Sequence, residues 1–297
     1  MKKTLYFYLQ NNLIKMRKIL LSLFVLCLPV ISKGQAPFPN SDEIKEFMAS
    51  KTCVVLENDP FSAFNSYIKE AVKNYWNITP YEFIETKDFN VRRVNPAYSF
   101  IVLTETNFDK DKSGSRFNFI NLLQGKKVSK LSEVPEICAV PLSAAGEDDM
   151  GYGYKLGAIL LFMQKHAKMI SEDPSLTGRK YLKYYNKFVP EVNKKTILVK
   201  KEDLSPDIST LENIKAIYPY NIRIVTEDSI VDAIARKAPN TLILHKVGPG
   251  AEKKSGYCFK MLIGTDDANM YYYDQHMINE ENPNGLLKSD LRRLARF

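Results

Sequence analysis

His245, Asp274 and His276 are the residues of this 297-residue chain best suited by type to acid–base chemistry. An imidazole can carry a proton near neutral pH, and a carboxylate two residues from a histidine can orient it. His245 closes one apolar, strand-like run (TLILH), and Asp274 and His276 close another (YYYDQH). Ligands of open α/β sheets bind at the carboxyl ends of the strands. The sequence therefore predicts that the three converge there as a candidate catalytic cluster for a hydrolase or transferase. His166, the third histidine, stands among lysines in a helical pattern and is expected to be exposed. The three histidines show no metal-ligand spacing.

Asp109, Asp111 and Ser113 open a segment, Asp109-Lys110-Asp111-Lys112-Ser113-Gly114, that copies the start of a calcium loop, with alternating oxygen ligands and a glycine at the sixth position. The twelfth position, which should hold a bidentate acid, is Ile120, and Lys110 and Lys112 dilute the negative charge. A solvated hairpin turn is the better reading, with these three residues as weak metal candidates.

Gly151, Gly153 and Gly157 are spaced GxGxxxG and not GxGxxG, and they follow Glu147, Asp148 and Asp149, which repel a pyrophosphate. The segment reads as the start of a helix whose N-terminus the acids favour, so no nucleotide or other cofactor is expected. Cys53, Cys138 and Cys258 lie in apolar runs and read as small buried residues. There is no CxxC and no GxSxG.

The elements that must position these residues follow from periodicity. Short apolar runs alternate with helical patterns: strands near 52–56, 81–85 and 98–105, two more near 116–123 and 137–142, then a long helix over 154–171. From Thr196 the order starts again, with strands near 196–200, 222–226 and 241–247, a hairpin over 256–274 and a closing helix over 286–295. Each half reads βαβαβββα. Thr86-Lys87-Asp88 and Thr226-Glu227-Asp228 follow the second strand of each half as helix caps, and Pro96 and Pro239 precede the third.

The expected fold is α/β, two Rossmann-like three-layer units arising by internal duplication. The expected segments are a signal peptide over 1–34, a first α/β unit over 35–172, a helical connector over 173–195 and a second unit over 196–297.

The N-terminal stretch has the layout of a cleaved secretory signal: Arg17 and Lys18, an apolar run from Ile19 to Ile31, then Ser32 and Gly34 before the cut. The run is shorter than the roughly 20 residues that span a bilayer. Six of the eight net positive charges lie in residues 1–34, leaving +2 for the remainder, so the basic character gives no argument for nucleic acid. The expectation is an exported protein, periplasmic or secreted, of non-enzymatic binding type, whose partner is a protein or an envelope component. An enzyme at the strand ends of the second unit and a solute-binding receptor are the alternatives.

Overall fold

Among the described residues, ten strands form two five-stranded mixed sheets of the same topology. The computed structural model describes residues 36–59, 61–146, 150–178, 184–250 and 253–297. Residues 1–34, expected to form a signal peptide, and Glu147, Asp148 and Asp149 lie outside the described residues. The first sheet contains β1 (Lys51–Leu56), β2 (Tyr81–Glu85), β3 (Tyr98–Asn107), β4 (Arg116–Gln124) and β5 (Glu136–Ala144), in the order β2-β1-β3-β4-β5. The second contains β6 (Thr196–Val199), β7 (Ile222–Ile224), β8 (Thr241–Val247), β9 (Tyr257–Gly264) and β10 (Met270–Met277), in the order β7-β6-β8-β9-β10. In each, the first strand pairs in parallel with the second and third, and the last two strands add antiparallel.

The agreement extends to single backbone bonds. Lys51 N–H donates to Ala97 as Thr196 N–H does to Asn240, and Thr52 N–H donates to Pro80 as Ile197 N–H does to Asn221. This register matches Cys53 with Leu198, Glu82 with Arg223 and Tyr98 with Thr241.

The helices are α1 (Ser41–Ala49), α2 (Ala63–Tyr75), α3 (Thr86–Arg92), the single turn α4 (Met150–Gly153), α5 (Leu156–Glu172), α6 (Leu211–Lys215), α7 (Glu227–Ala235) and α8 (Lys288–Leu294). Asn40 caps α1 in a capping box with Glu43. Ser62 caps α2, its hydroxyl accepting from the Asn65 N–H, while the Asp59 carboxylate accepts from the Phe61 N–H. Glu85 and Thr226 occupy matching N-cap positions, so the Thr86 and Thr226 motifs are out of step by one residue. Thr86 instead donates to the Leu56 carbonyl. Between β6 and β7 the chain forms a 3-10 turn, Pro206–Ile208, followed by the short α6.

One apolar cluster joins both sheets. It takes Val54, Ile101 and Leu122 from the first, Leu198, Ile243 and Ile263 from the second, and the inner faces of α1, α2, α5 and α7. Helix α5 is consequently buried nearly all round, and only a few positions such as Lys165 and Lys168 reach solvent. Gly153 and Gly157 serve this packing, since a Cβ at either would lie 2.6 Å from the ring of Tyr67 or Tyr75. Gln164 fastens α5 to the turn after α2: its amide donates to the Tyr75 carbonyl at 2.8 Å and accepts from Asn77 and Ile78 N–H at 2.7 and 3.0 Å.

The far face of the first sheet packs on α3 through Cys53, Phe89 and Phe100, and that of the second on α6 and α8 through Ile214, Leu291 and Leu294. All three cysteines here are buried and free. No helix among the described residues is long and apolar enough to cross a membrane.

Candidate functional site

In both sheets the first strand lies between the second and third, and the two crossover helices fall on opposite faces. This creates a topological switch point at the carboxyl ends of β1 and β3, and another at those of β6 and β8.

At the second switch point the register decides which predicted residues can meet. Lys246, Lys260 and Asp274 are directly opposed across β8, β9 and β10, and so are His245, Met261 and Tyr273 one step away. Side chains alternate faces along a strand. His245 therefore points to the opposite face of the sheet from Asp274 and His276, and the expected trio does not assemble.

His245 is buried and its Nε2–H donates to the Pro141 carbonyl at 2.7 Å, which joins β8 to β5 of the first sheet. A carbonyl can only accept, so this bond fixes the tautomer and leaves Nδ1 as an acceptor. Burial, aided by the nearby Lys155 charge, pushes the His245 pKa down to about 4. His276 Nε2–H donates to Pro283 at 3.0 Å. Asp274 accepts from Lys260 at 3.0 Å and Arg293 at 3.1 Å. Burial raises its pKa, and the two cations outweigh that effect and hold it below the ordinary value.

The crevice itself is filled by a group that sequence reasoning missed. Lys155, at the start of α5, reaches across and places its ammonium 3.5 Å from Asp203, and Lys246 approaches the same carboxylate at 3.7 Å. Lys200, above the Tyr154 ring, pairs with Glu202 and Glu227 at 2.8 and 3.2 Å. Burial depresses the Lys155 pKa, with Lys246 and Lys200 acting in the same direction against the pull of Asp203. The available signal was a lysine two residues after the Gly151-Tyr152-Gly153 turn, a pattern that invites a phosphate reading and here yields an internal ion pair.

Asp109, Asp111 and Ser113 form a hairpin turn between β3 and β4. Asp111 accepts from Ser113 N–H, Ser113 donates to the Ser115 hydroxyl, and Lys253 donates to the Gly114 carbonyl. Among the described residues no group of three or more His, Cys, Asp or Glu side chains is arranged to hold a metal ion.

His166, expected outside, is buried against Phe162 and Tyr185, with Nδ1 3.1 Å from the Tyr185 hydroxyl. Burial lowers its pKa to about 4.

The switch point of the first sheet is built differently. The loop after β1 is locked by Asn65, whose amide donates to the Glu57 and Asp59 carbonyls and accepts from Glu57 N–H. Asp59 holds the Phe61 N–H at 2.9 Å, and the Phe61 side chain stands 92% exposed.

Comparison with known protein families, with curated proteins and with solved structures returns no match for this chain.

Proposed function

We propose that this is an exported binding protein, built by internal duplication, that engages a protein or envelope component at the carboxyl edge of its first sheet. The observation that carries the reading is Phe61, a large apolar side chain held in water by a loop fixed through Asp59 and Asn65. An exposed aromatic ring on a hydrogen-bonded loop has apolar area to remove from water on docking, which is what a contact residue requires. The matched strand order and backbone bonds support the duplication. The layout of residues 1–34 supports export to the periplasm or beyond. At the second switch point Lys155 fills the crevice from within, and His245 and Asp274 face opposite ways, which favours binding over catalysis there.

The test is capture of an envelope component on immobilised protein, compared among the wild type, Phe61→Ser and His245→Gln. Loss with Phe61→Ser and retention with His245→Gln is the expected pattern. Equal capture by the Phe61→Ser protein would overturn the reading.

A further inference from the structure

The matched halves differ at one place where side-chain volume has been removed. On the α3 face of the first sheet, Glu82 is paired twice, with Arg92 at 2.6 Å and Lys51 at 3.3 Å, and the Arg92 guanidinium lies 5.3 Å from the centre of the Tyr98 ring. These long side chains cover the amino-end corner of the sheet. Register and cap position match Lys51 with Thr196, Tyr98 with Thr241 and Arg92 with Ala233. In the second half three large residues are thus replaced by small ones, and an open-mouthed cavity of about 250 Å³ lies beneath α7, with Arg223, Ser229, Asp232 and Arg236 exposed around it.

The charge also changes hands. Arg223 stands where the first half has Glu82, and it lines the cavity with no acidic group within ion-pair distance among the described residues. Asp232, the nearest acid in the lining, is committed to Arg236 on its own helix, with contacts of 2.7 to 2.9 Å. The lining therefore carries one surplus positive charge, over a floor formed by Leu198, Val225 and Ala233.

We infer that this cavity binds a small organic monoanion, a carboxylate on a short apolar body, with Arg223 as its charge partner. A guanidinium grips a carboxylate through two parallel N–H bonds, and the floor removes the ligand's apolar part from water. This site lies at the amino ends of the second sheet and is independent of the Phe61 loop.

The experiment titrates the full-length mature protein with benzoate, hexanoate, benzyl alcohol and inorganic phosphate, read by calorimetry and by the thermal unfolding midpoint. Saturable stabilisation by the two carboxylates is expected, with benzyl alcohol weaker by about tenfold or more, as loss of a charged hydrogen bond implies. Arg223→Gln should weaken benzoate by a similar factor, and Thr241→Tyr, which restores the ring of the first half, should abolish binding. Circular dichroism checks that the Thr241→Tyr protein folds; Arg223 is exposed, so Arg223→Gln carries the test alone if it does not. Benzoate binding unchanged by Arg223→Gln, no binding of either carboxylate, or binding of phosphate without benzoate would each overturn the inference.

Discussion

Lys260 and Asp290 meet at 2.7 Å with side chains 0% and 1% exposed, and this pair fastens α8 to the second sheet. Asp290 also accepts from the Tyr272 hydroxyl at 2.6 Å and from Leu287 N–H at 2.7 Å, so its lone pairs are well used. Without Asp290, Lys260 keeps only Asp274, and the Tyr272 hydroxyl and Leu287 N–H lose their acceptor. Asp290→Ala is expected to cost about 2–4 kcal/mol in urea unfolding, and adding Lys260→Met to the same chain should recover part of it. A cost below about 1 kcal/mol, the range of a surface pair, would mean that the network does not hold the helix.

His245 and His166 should make the fold acid-sensitive. Both have folded pKa values near 4, below the ordinary 6.5, because burial disfavours the imidazolium. Between pH 6.5 and 4 the unfolded chain binds more protons, so stability is fully present above 6.5 and is lost as pH falls through that window. Each contributes up to about 3 kcal/mol. Unfolding free energies measured from pH 8 to 4 should fall less steeply in His245→Gln than in wild type, by about one proton's worth of slope; an unchanged slope would refute the assignment.

Glu136, on β5, works in the opposite direction. Burial pushes its pKa up to about 7, and among the described residues no cation pairs with it. A raised carboxyl pKa gives stability that is present below 4.5 and lost as pH rises through 7. Glu136→Gln should therefore stabilise the protein by about 1–2 kcal/mol at pH 8 and leave it unchanged at pH 4. Equal effects at the two pH values would refute the charge argument.

Gly285 precedes α8 with φ of +128°, and a Cβ there would lie 2.8 Å from the Leu204 carbonyl carbon and the Ser205 nitrogen. Backbone cannot move aside as a flexible side chain can. Gly285→Ala should cost at least about 2 kcal/mol by strain and displacement together, measurable by thermal unfolding. Phe61→Ser, by contrast, should stay within about 0.5 kcal/mol of wild type.

The element order was legible because strands such as SFIVL and TLILH are buried on both faces and read as continuous apolar runs. Register was not. His245 and Asp274 look like neighbours at strand ends, yet a single step of alternation sends them to opposite faces, and that step depends on pairing between distant segments. The misplacement of His166 has another cause. A helix with one apolar stripe suggests one buried side, but α5 is wrapped by α1, α2, β5 and β9, so even a histidine flanked by lysines at nearby positions is enclosed. Lys155 escaped notice because nothing local says that its partner is Asp203, 48 positions away.

The enclosure of α5 also sets a schedule for the chain as it is made. The helix ends at Glu172, and β9, which covers it, does not begin until Tyr257, 85 residues later. At ribosomal speeds of about 5–20 residues per second, that interval is on the order of ten seconds. Through it, the part of α5 that β9 will cover stays open, and the nascent chain carries an apolar strip exposed to its neighbours until the last hairpin arrives.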